Sequence, residues 1–345
     1  MGSRSWQWIY FFTPLCVVGI SLLFAAALLV FLGHDPIFAF GAMWKGAVGS
    51  FSALKVTALK TAPLLLTGLA VTLTFRAGVW NIGAEGQMYF GALFATAIAT
   101  LPSSILLEGL PAVFVFPIVA LFGGIGGATL ASIAAWLRFK RGVSEVISTI
   151  LLNFVAIQLV AWSVLGPLGE TGSIFPQSRL LPEVTRLPAI DRLHLGIVLG
   201  VFLAILCQRF FRDSPSGFRW RSVGADPHAS LYAGISPNAV GVYALLVAGS
   251  ISGLAGAFEV MGVTGRLYSG FSPGTGYTAI AVALLARLQP LNVIWAALFF
   301  GIIEAGSYGM QRNAGVSAQV TEVIQGLVVL VSAITTPALL RRASE

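Results

Sequence analysis

The sequence predicts an all-α, polytopic membrane protein with about ten transmembrane helices arranged as two halves of inverted topology. Hydrophobic residues make up 57% of the 345 residues and charged residues 10%, and the mean hydropathy is +0.89. Soluble domains carry about a quarter charged residues, so this composition excludes a soluble domain with a single membrane anchor. Apolar runs of about twenty residues, the length that crosses the hydrocarbon core as a helix, recur along the chain.

The first apolar run, residues 9–32, is longer than a signal-peptide core and predicts an uncleaved first helix. Residues 34–36 end this helix. Residues 36–50 predict an interfacial stretch, because Trp44 and Lys45 are typical of the headgroup level. The other predicted spans are residues 54–75, 88–101, 111–137, 143–165, 193–211, 238–262, 274–288, 291–310 and 318–339.

The distribution of basic residues predicts that both termini are cytoplasmic. With that orientation the short inside loops are rich in arginine, as the positive-inside rule expects. The basic residues on the inside are Arg4, Arg76, Arg138, Lys140, Arg141, Arg209, Arg212, Arg219, Arg221, Arg287, Arg341 and Arg342. Membrane topology thus accounts for the sequence pI of about 9.8, and nucleic-acid binding is not expected.

A single transmembrane domain is predicted over residues 1–345. The first block, residues 54–165, opens with a helix that enters from outside. The second block, residues 238–339, opens with a helix that enters from inside, and a cytoplasmic loop at residues 212–237 precedes it. The two four-helix blocks are therefore predicted to have inverted topology.

A glycine-rich break follows the opening helix of each block, the first break at residues 77–86 and the second break at residues 270–276. Paired interruptions in corresponding positions of two halves point to a transport site. Polar residues in the first break lie between two apolar runs, where lipid offers them no partners. Two interpretations stay open. Either Asn81 caps a helix at the membrane surface, with Glu85 near its positive end, or the helix is broken beside a transport path.

Five carboxylates lie in or at the edge of apolar spans, where such groups are functional candidates. They are Glu85, Glu145, Glu259, Glu304 and Glu322. Glu145 and Glu322 lie near span starts, where capping or pairing with arginine is the expected role. Glu259 and Glu304 lie deeper and are candidates for a path or for inter-helix contacts. Asn153 is a candidate for bonding a hydroxylated solute or a neighbouring helix, and the sequence does not separate these roles.

The residues predicted to line a translocation path are Asn81, Glu85, Gln87, Asn153, Glu259, Phe271, Ser272, Tyr277 and Glu304. A second candidate region is residues 224–235, which are predicted to begin with a turn at Gly224 and to continue as a short helix. In this helix Asp226 is the predicted N-cap, Pro227 the first helical residue and Gly234 the stop. Such a helix is suited to docking into a groove of a partner, although a simple loop helix has the same pattern.

The sequence contains no pattern for nucleotide, metal or catalytic chemistry. None of the four lysines follows a glycine, which excludes a P-loop. Cys16 and Cys207 lie in apolar runs and predict buried thiols, and the three histidines are too far apart to predict a metal site. No nucleophile–base pair supports an intramembrane enzyme. We therefore expect no catalytic residue, no metal and no cofactor.

Several motifs resemble those of permease subunits of binding-protein-dependent ABC importers, most closely the branch assigned to nucleosides and simple sugars. They are RAG at 76–78 with NIGAEGQ at 81–87, GVSEVIST at 142–149, GADPHASLYAGI at 224–235, and SGFSPGTGY at 269–277 with IAVALL at 280–285. Ser144 and Asp226 stand where the family pattern has asparagine.

The resemblance implies a channel-forming subunit of the bacterial cytoplasmic (inner) membrane that translocates a nucleoside or simple sugar with ATP hydrolysed by a partner subunit. The implied partners are an ABC ATPase, a second permease in a heterodimer, an extracytoplasmic solute-binding protein, the small-molecule solute and membrane lipid. The residues implied to couple to the ATPase are Gly224, Asp226, Pro227, Ala229, Tyr232, Ala233 and Gly234.

The alternative is an ion-gradient-driven secondary transporter of a similar small polar solute, with Glu259 or Glu304 as the proton carrier. A purely structural scaffold does not explain the many polar groups inside the predicted spans.

Overall fold

The protein is helical, as predicted. The computed structural model describes residues 18–100, 110–187, 189–190, 193–194, 196–317, 319–327 and 330–331. The α-helices are α1 Val18–Phe31, α2 Pro36–Val48, α3 Phe51–Arg76, α4 Ala84–Thr100, α5 Ala112–Arg141, α6 Glu145–Leu165, α7 Gly196–Asp213, α8 Pro215–Ala225, α9 Pro227–Tyr232, α10 Pro237–Glu259, α11 Thr275–Leu285 and α12 Pro290–Ala314. Residues 319–327 are also helical. A π-helix, Val260–Thr264, continues α10, and a 3₁₀ turn, Glu183–Thr185, precedes the antiparallel two-residue strands β1 Ala189–Ile190 and β2 Leu193–His194.

Among the described residues, five helices are each long and apolar enough to cross a membrane: α3, α5, α6, α10 with its π-helical end, and α12. Helices α1 and α2 pass the same criterion together but meet at an angle of 119°. The polytopic class is therefore confirmed, whereas the number of ten spans stays a prediction. Half of the last predicted span, residues 318–339, lies outside the described residues.

The predicted interfacial stretch at residues 36–50 contains helix α2. Asp35 caps this helix, since its Oδ1 accepts a hydrogen bond from the Ile37 N–H at 2.9 Å. Helix α2 packs along α12, and a Cβ built on Gly46 would lie 2.8 Å from the Gly309 Cα. The close backbone approach shows that this stretch is packed against the protein.

The opening helices of the two predicted blocks each pack against helices of the other block. Helix α3 contacts α11 and α12, and α10 contacts α4 and α5. Glycines permit the closest of these contacts: a Cβ built on Gly127 of α5 would lie 2.8 Å from the Gly253 Cα of α10. Small residues of this kind let helices approach backbone to backbone in membranes, so the two blocks are packed tightly together.

The connection between α6 and β1 folds over the segment between α10 and α11. The Ser178 N–H donates to the Leu267 carbonyl oxygen at 2.7 Å. An ion pair joins Arg266 Nη1 to Glu170 Oε2, also at 2.7 Å. The segment that precedes the second break is thus bonded to the long connection, which is predicted to lie outside.

Helices α8 and α9 form the connection between α7 and α10, which is predicted to be cytoplasmic. Helix α9 is the predicted short helix, with Asp226 Oδ1 accepting from the His228 N–H at 2.8 Å and Pro227 as its first residue. Gly234 follows with a φ of 76°, as expected of a helix-ending glycine. The predicted turn at Gly224 is wrong, because Gly224 belongs to the last turn of α8 and the helices separate at Asp226.

Candidate translocation and coupling site

Helices α4 and α11 start with buried N-termini, and their first turns meet. Glu85 Oε2 accepts a hydrogen bond from the Gly276 N–H at 2.5 Å. A Cβ built on Gly276 would overlap the Glu85 backbone, so a glycine is needed for this approach. Glu85 and Gly276, one from each predicted break, are therefore in direct contact although they are 191 positions apart in the sequence.

The Glu85 carboxyl group lies at the positive end of two helices. Each helix N-terminus carries unpaired N–H groups and a partial positive charge, which an anionic group offsets. The Ser272 hydroxyl and the Gly274 N–H also lie near this carboxyl group. Since Glu85 is 1% exposed, its hydrogen bonds come from the protein itself.

Asn153 of α6 ties the first break to the neighbouring helices. Its Oδ1 accepts from the Gly86 N–H at 2.8 Å, and its Nδ2 donates to the Ile82 carbonyl oxygen at 2.9 Å and to the Tyr277 hydroxyl at 3.2 Å. Backbone groups freed by a break in a membrane helix need such partners. Asn153 is 0% exposed, so the inter-helix role left open by the sequence is present in this structure.

Asn81 does not cap α4, contrary to one of the two sequence interpretations. Helix α4 starts at Ala84, and Asn81 Oδ1 instead accepts from the Gly83 N–H at 2.9 Å and from Gln87 Nε2 at 3.2 Å. Asn81 Nδ2 donates in return to Gln87 Oε1 at 3.2 Å. The paired amides fold the first break back on α4, which supports the broken-helix interpretation.

The second break is attached to α4 by an aromatic contact and a hydrogen bond. The Tyr89 hydroxyl donates to the Ser272 carbonyl oxygen at 3.1 Å, and the Tyr89 and Phe271 ring centroids are 4.5 Å apart. The Thr275 N–H at the start of α11 donates to Ser272 Oγ at 3.2 Å. We call the contact region of α4, α6 and the two breaks the latch; its members are Asn81, Glu85, Gln87, Tyr89, Asn153, Phe271, Ser272, Gly276 and Tyr277.

Burial divides the predicted path residues into two groups. The six that are 7% exposed or less are Asn81, Glu85, Gln87, Asn153, Phe271 and Ser272. The three with larger exposure are Tyr277, Glu259 and Glu304. The lining of a path by all nine stays a prediction, because the buried six reach a solute only if α4 and α11 separate.

Glu259 and Glu304 lie away from the latch, in a cluster with a lysine. Lys60 Nζ of α3 lies 2.9 Å from Glu304 Oε1 of α12, and Glu259 interacts electrostatically with both. The Tyr268 and Tyr308 side chains interact with Lys60 as well. We call these five residues the outer cluster, after the predicted orientation of the chain.

Lys60 was not among the candidate residues predicted from the sequence. It lies within the apolar run at residues 54–75, so the rule that marks intramembrane carboxylates as functional candidates also marks this lysine. Glu145, by contrast, pairs with an arginine as expected, with Arg138 Nε 2.9 Å from Glu145 Oε2.

The predicted coupling residues lie on the surface around α9. Tyr232 is 95% exposed and Leu231 is 63% exposed, so α9 presents an apolar tip with no covering side chain among the described residues. Gly224, Asp226, Pro227, Ala229, Ala233 and Gly234 are exposed as well. An exposed apolar tip on a capped helix is the shape expected of a docking element.

A glycine contact connects this surface to the first break. A Cβ built on Gly78 would lie 3.3 Å from the Gly224 Cα, and a Cβ built on Gly224 would overlap the Arg76 carbonyl oxygen. Arg76 also reaches the loop between α11 and α12, with its Nη1 3.4 Å from Gln289 Oε1, and its guanidinium group lies 4.5 Å from the Phe211 ring centroid. The end of α8 therefore rests directly on the turn that opens the first break.

No group of three metal-binding side chains occurs in the part of the chain that the structure describes. Four of the carboxylates there have a lysine, arginine or backbone N–H partner: Glu304, Glu145, Glu170 and Glu85.

Comparison with known proteins gives consistent matches along the chain. A family model described as the permease component of a branched-chain amino acid transport system matches residues 53–333. The chain is similar to a glucose ABC transporter permease of Haloferax volcanii, 36% identical over 94% of this chain and 87% of the relative. It is also similar to a guanosine ABC transporter permease of Bacillus subtilis, 30% identical over 92% and 91%. A nucleoside ABC transporter permease of Lactococcus lactis is 26% identical over 93% and 90%. No solved structure matches the chain.

Proposed function

This chain belongs to the family of transport-system permease components, in the nucleoside and simple-sugar branch of ABC importers, and from that premise we propose its function. It is a multi-pass membrane protein and a transport protein rather than an enzyme. In the proposed cycle it translocates a nucleoside or a simple sugar inward across the cytoplasmic membrane, and a partner ATPase hydrolyses the ATP. A second permease completes the channel, and an extracytoplasmic solute-binding protein delivers the solute.

The observation that carries this proposal is the family match over residues 53–333, which includes both breaks and the α8–α9 connection. The relatives are named as glucose, guanosine and nucleoside permeases, and we infer the solute class of this chain from those names. One feature of the fold is consistent with alternating access. Buried polar breaks lie where two helices start, and broken helices of this kind gather at transport sites.

The proposed inverted halves are supported by the exchange of helix partners. Under a two-fold relation that pairs α3 with α10, α4 with α11 and α5 with α12, the packing of α3 on α11 and α12 corresponds to the packing of α10 on α4 and α5. The latch then lies where the two short helices meet. Ten spans would follow from the same relation, with the last helix of the second block corresponding to α6.

The proposed coupling route runs from α9 to the latch. Closure of the ATPase would push on Leu231 and Tyr232, and the rigid end of α8 would transmit the displacement through Gly224 to Gly78. The first break follows Gly78 and leads to Glu85. In this mechanism the Glu85–Gly276 bond is broken when α4 and α11 separate, and the buried polar groups become a path.

The ion-gradient alternative is weakened by the outer cluster. Glu304 already has an ammonium partner, Lys60 Nζ at 2.9 Å, so a proton on its carboxylate would disrupt an ion pair. Glu259 is a carboxyl group within a span, as a proton carrier requires, and experiment can test it in that role.

Reconstitution tests the proposal directly. Proteoliposomes that contain this chain with its partner ATPase, second permease and solute-binding protein should accumulate labelled guanosine or glucose when ATP is supplied on the ATPase side. A non-hydrolysable ATP analogue should abolish uptake. Uptake driven by an imposed pH gradient without the ATPase would instead support the secondary transporter.

A further inference from the structure

We propose that the outer cluster, Lys60, Glu259, Tyr268, Glu304 and Tyr308, forms a solute subsite that binds uncharged polyhydroxylated molecules and rejects their phosphorylated forms. This inference rests on the proposed function. It specifies where the transported solute binds and that the solute carries no phosphate charge. It is separate from the latch, whose polar side chains bond one another.

The cluster is assembled from distant parts of the chain. Lys60 Nζ contacts Glu304 Oε1 at 2.9 Å and lies 5.8 Å from the Tyr308 ring centroid. Glu259 lies within electrostatic range of Lys60 and Glu304, and Tyr268 lies within electrostatic range of Glu259, Lys60 and Tyr308. Helices α3, α10 and α12 and the segment before the second break each contribute, so movement of the second break relative to these helices would change the cluster.

It lies in the half of the bundle away from α8 and α9. Lys60 lies roughly 14 Å along α3 from its start at Phe51, and Glu304 lies roughly 15 Å from the end of α12 at Ala314, at 1.5 Å per residue. Glu259 is the last residue of α10. The ion pair therefore lies well inside the helix ends, where charged groups face a water-filled space or another protein chain rather than lipid.

Four of the five side chains remain accessible in the isolated chain. The Lys60 side chain is 29% exposed, Glu304 20%, Tyr268 38% and Tyr308 52%. The outer connection fixes the neighbourhood of Tyr268, because Gln177 pairs with it in a β-bridge. A fixed and accessible group of charged and aromatic residues inside the predicted membrane region is suited to contact a solute that arrives from outside.

The chemistry of the cluster matches hydroxylated rings. Two carboxylates accept hydrogen bonds from hydroxyl groups, the ammonium group donates to ring or hydroxyl oxygens, and the tyrosines combine an apolar face with a polar tip. Ribose and hexose rings present hydroxyl groups along one edge and C–H groups on their faces. A few placed polar groups beside aromatic surfaces are the usual composition of a small-molecule site.

The charges supply the selectivity. When both carboxylates are ionised, one lysine and two carboxylates give the cluster a formal charge of −1, which repels an added phosphate group. Replacing Glu259 by Gln makes the formal charge zero and leaves Lys60 to attract phosphate. A purely structural ion-pair cluster predicts no such change in ligand preference.

Saturation-transfer difference NMR on the full chain in nanodiscs tests the subsite without ATP or partners. The probes are guanosine and guanosine 5′-monophosphate. We expect the wild type to give a signal with guanosine and at least about fivefold less with the monophosphate, the order expected for one unit-charge interaction in a wet site. Tyr308→Leu should lose most of the guanosine signal, and Glu259→Gln should gain a signal with the monophosphate.

Tyr243→Leu is the matched control, since Tyr243 is 63% exposed and lies on α10 near α8, at the other end of the bundle. It should leave both signals unchanged. Equal wild-type signals for the two probes, no guanosine signal, or a Tyr308→Leu signal equal to that of wild type would each overturn the subsite. Circular dichroism and gel filtration verify that each variant is folded.

The two proposals fail separately. ATP-driven guanosine or glucose uptake by the assembled transporter, combined with no NMR signal from the chain alone, would remove the subsite and keep the function. The expected NMR pattern without uptake of either solute would keep the subsite and remove the proposed transport function.

Discussion

The Glu85 carboxylate on α4 accepts a hydrogen bond from the Gly276 N–H on α11 at 2.5 Å, which joins the starts of two helices from different halves of the chain. Because both helices present their positive ends to one buried side chain, this contact sets how closely the halves approach. A transport mechanism that separates α4 from α11 must break it. The contact is therefore expected to govern both stability and transport.

Replacing Glu85 by Ala should destabilise the protein by about 2 kcal/mol, since the Gly276 N–H loses its buried acceptor. Unfolding in detergent by titration with SDS measures this loss. Glu322→Ala is the control, because Glu322 is exposed, and its change should stay within about 0.5 kcal/mol. Equal stability of the two variants would show that Glu85 does not hold the latch.

Asn153→Ala should destabilise the protein by about 2–4 kcal/mol, because the Gly86 N–H and the Ile82 carbonyl oxygen both lose a buried partner. Asn153→Asp should recover part of this loss, since it keeps the acceptor for Gly86. The same SDS titration measures both variants. Gln158→Ala, an exposed amide on the same helix, is the control, and a loss as large as that of Asn153→Ala would contradict the assignment.

Gly224→Ala should reduce ATP-driven uptake by the assembled transporter and destabilise the chain by about 1–3 kcal/mol, because the added methyl group overlaps the Arg76 carbonyl oxygen. Ala225→Ser, at the neighbouring exposed position, tests whether any change in α8 has this effect. Normal uptake by Gly224→Ala would exclude the contact with the Gly78 turn as the coupling route.

Tyr232→Ala should weaken binding of the partner ATPase by about 2 kcal/mol or more, the size typical of an aromatic anchor in an interface, while stability changes little. The basis is the 95% exposure of Tyr232, which leaves it almost no contacts within this chain to lose. Titration calorimetry with the purified ATPase measures the affinity. Trp44→Ala removes another exposed aromatic residue, on α2, and should leave it unchanged.

Lys60→Met should destabilise the chain by about 1–3 kcal/mol, because Glu304 loses its partner while both remain only partly exposed. Adding Glu304→Gln to this variant should restore part of the loss, and the double-mutant cycle by SDS titration isolates the pair. Lys45→Met, at an exposed position of α2, is the control. Strict additivity of the two substitutions would show that the pair contributes nothing.

The sequence by itself determined the membrane class and most of the helices, and it placed both breaks between the correct helices; α8 was not predicted. Apolar runs have to form helices in lipid, because every backbone N–H and C=O group needs a partner within the segment. The pattern of Asp226, Pro227 and Gly234 was likewise sufficient for α9, since capping depends on neighbouring residues alone.

Only the tertiary structure decided which groups the polar residues meet. Asn81 was a possible cap by local pattern, but its amide bonds Gln87 and the Gly83 N–H, because the chain folds back at the break before α4 begins. Lys60 and Glu304 are far apart in sequence, and neither local pattern contains information about the other. Partners across helices depend on how α3, α10, α11 and α12 pack, and that packing is set by glycine contacts and side-chain shapes spread over the whole chain.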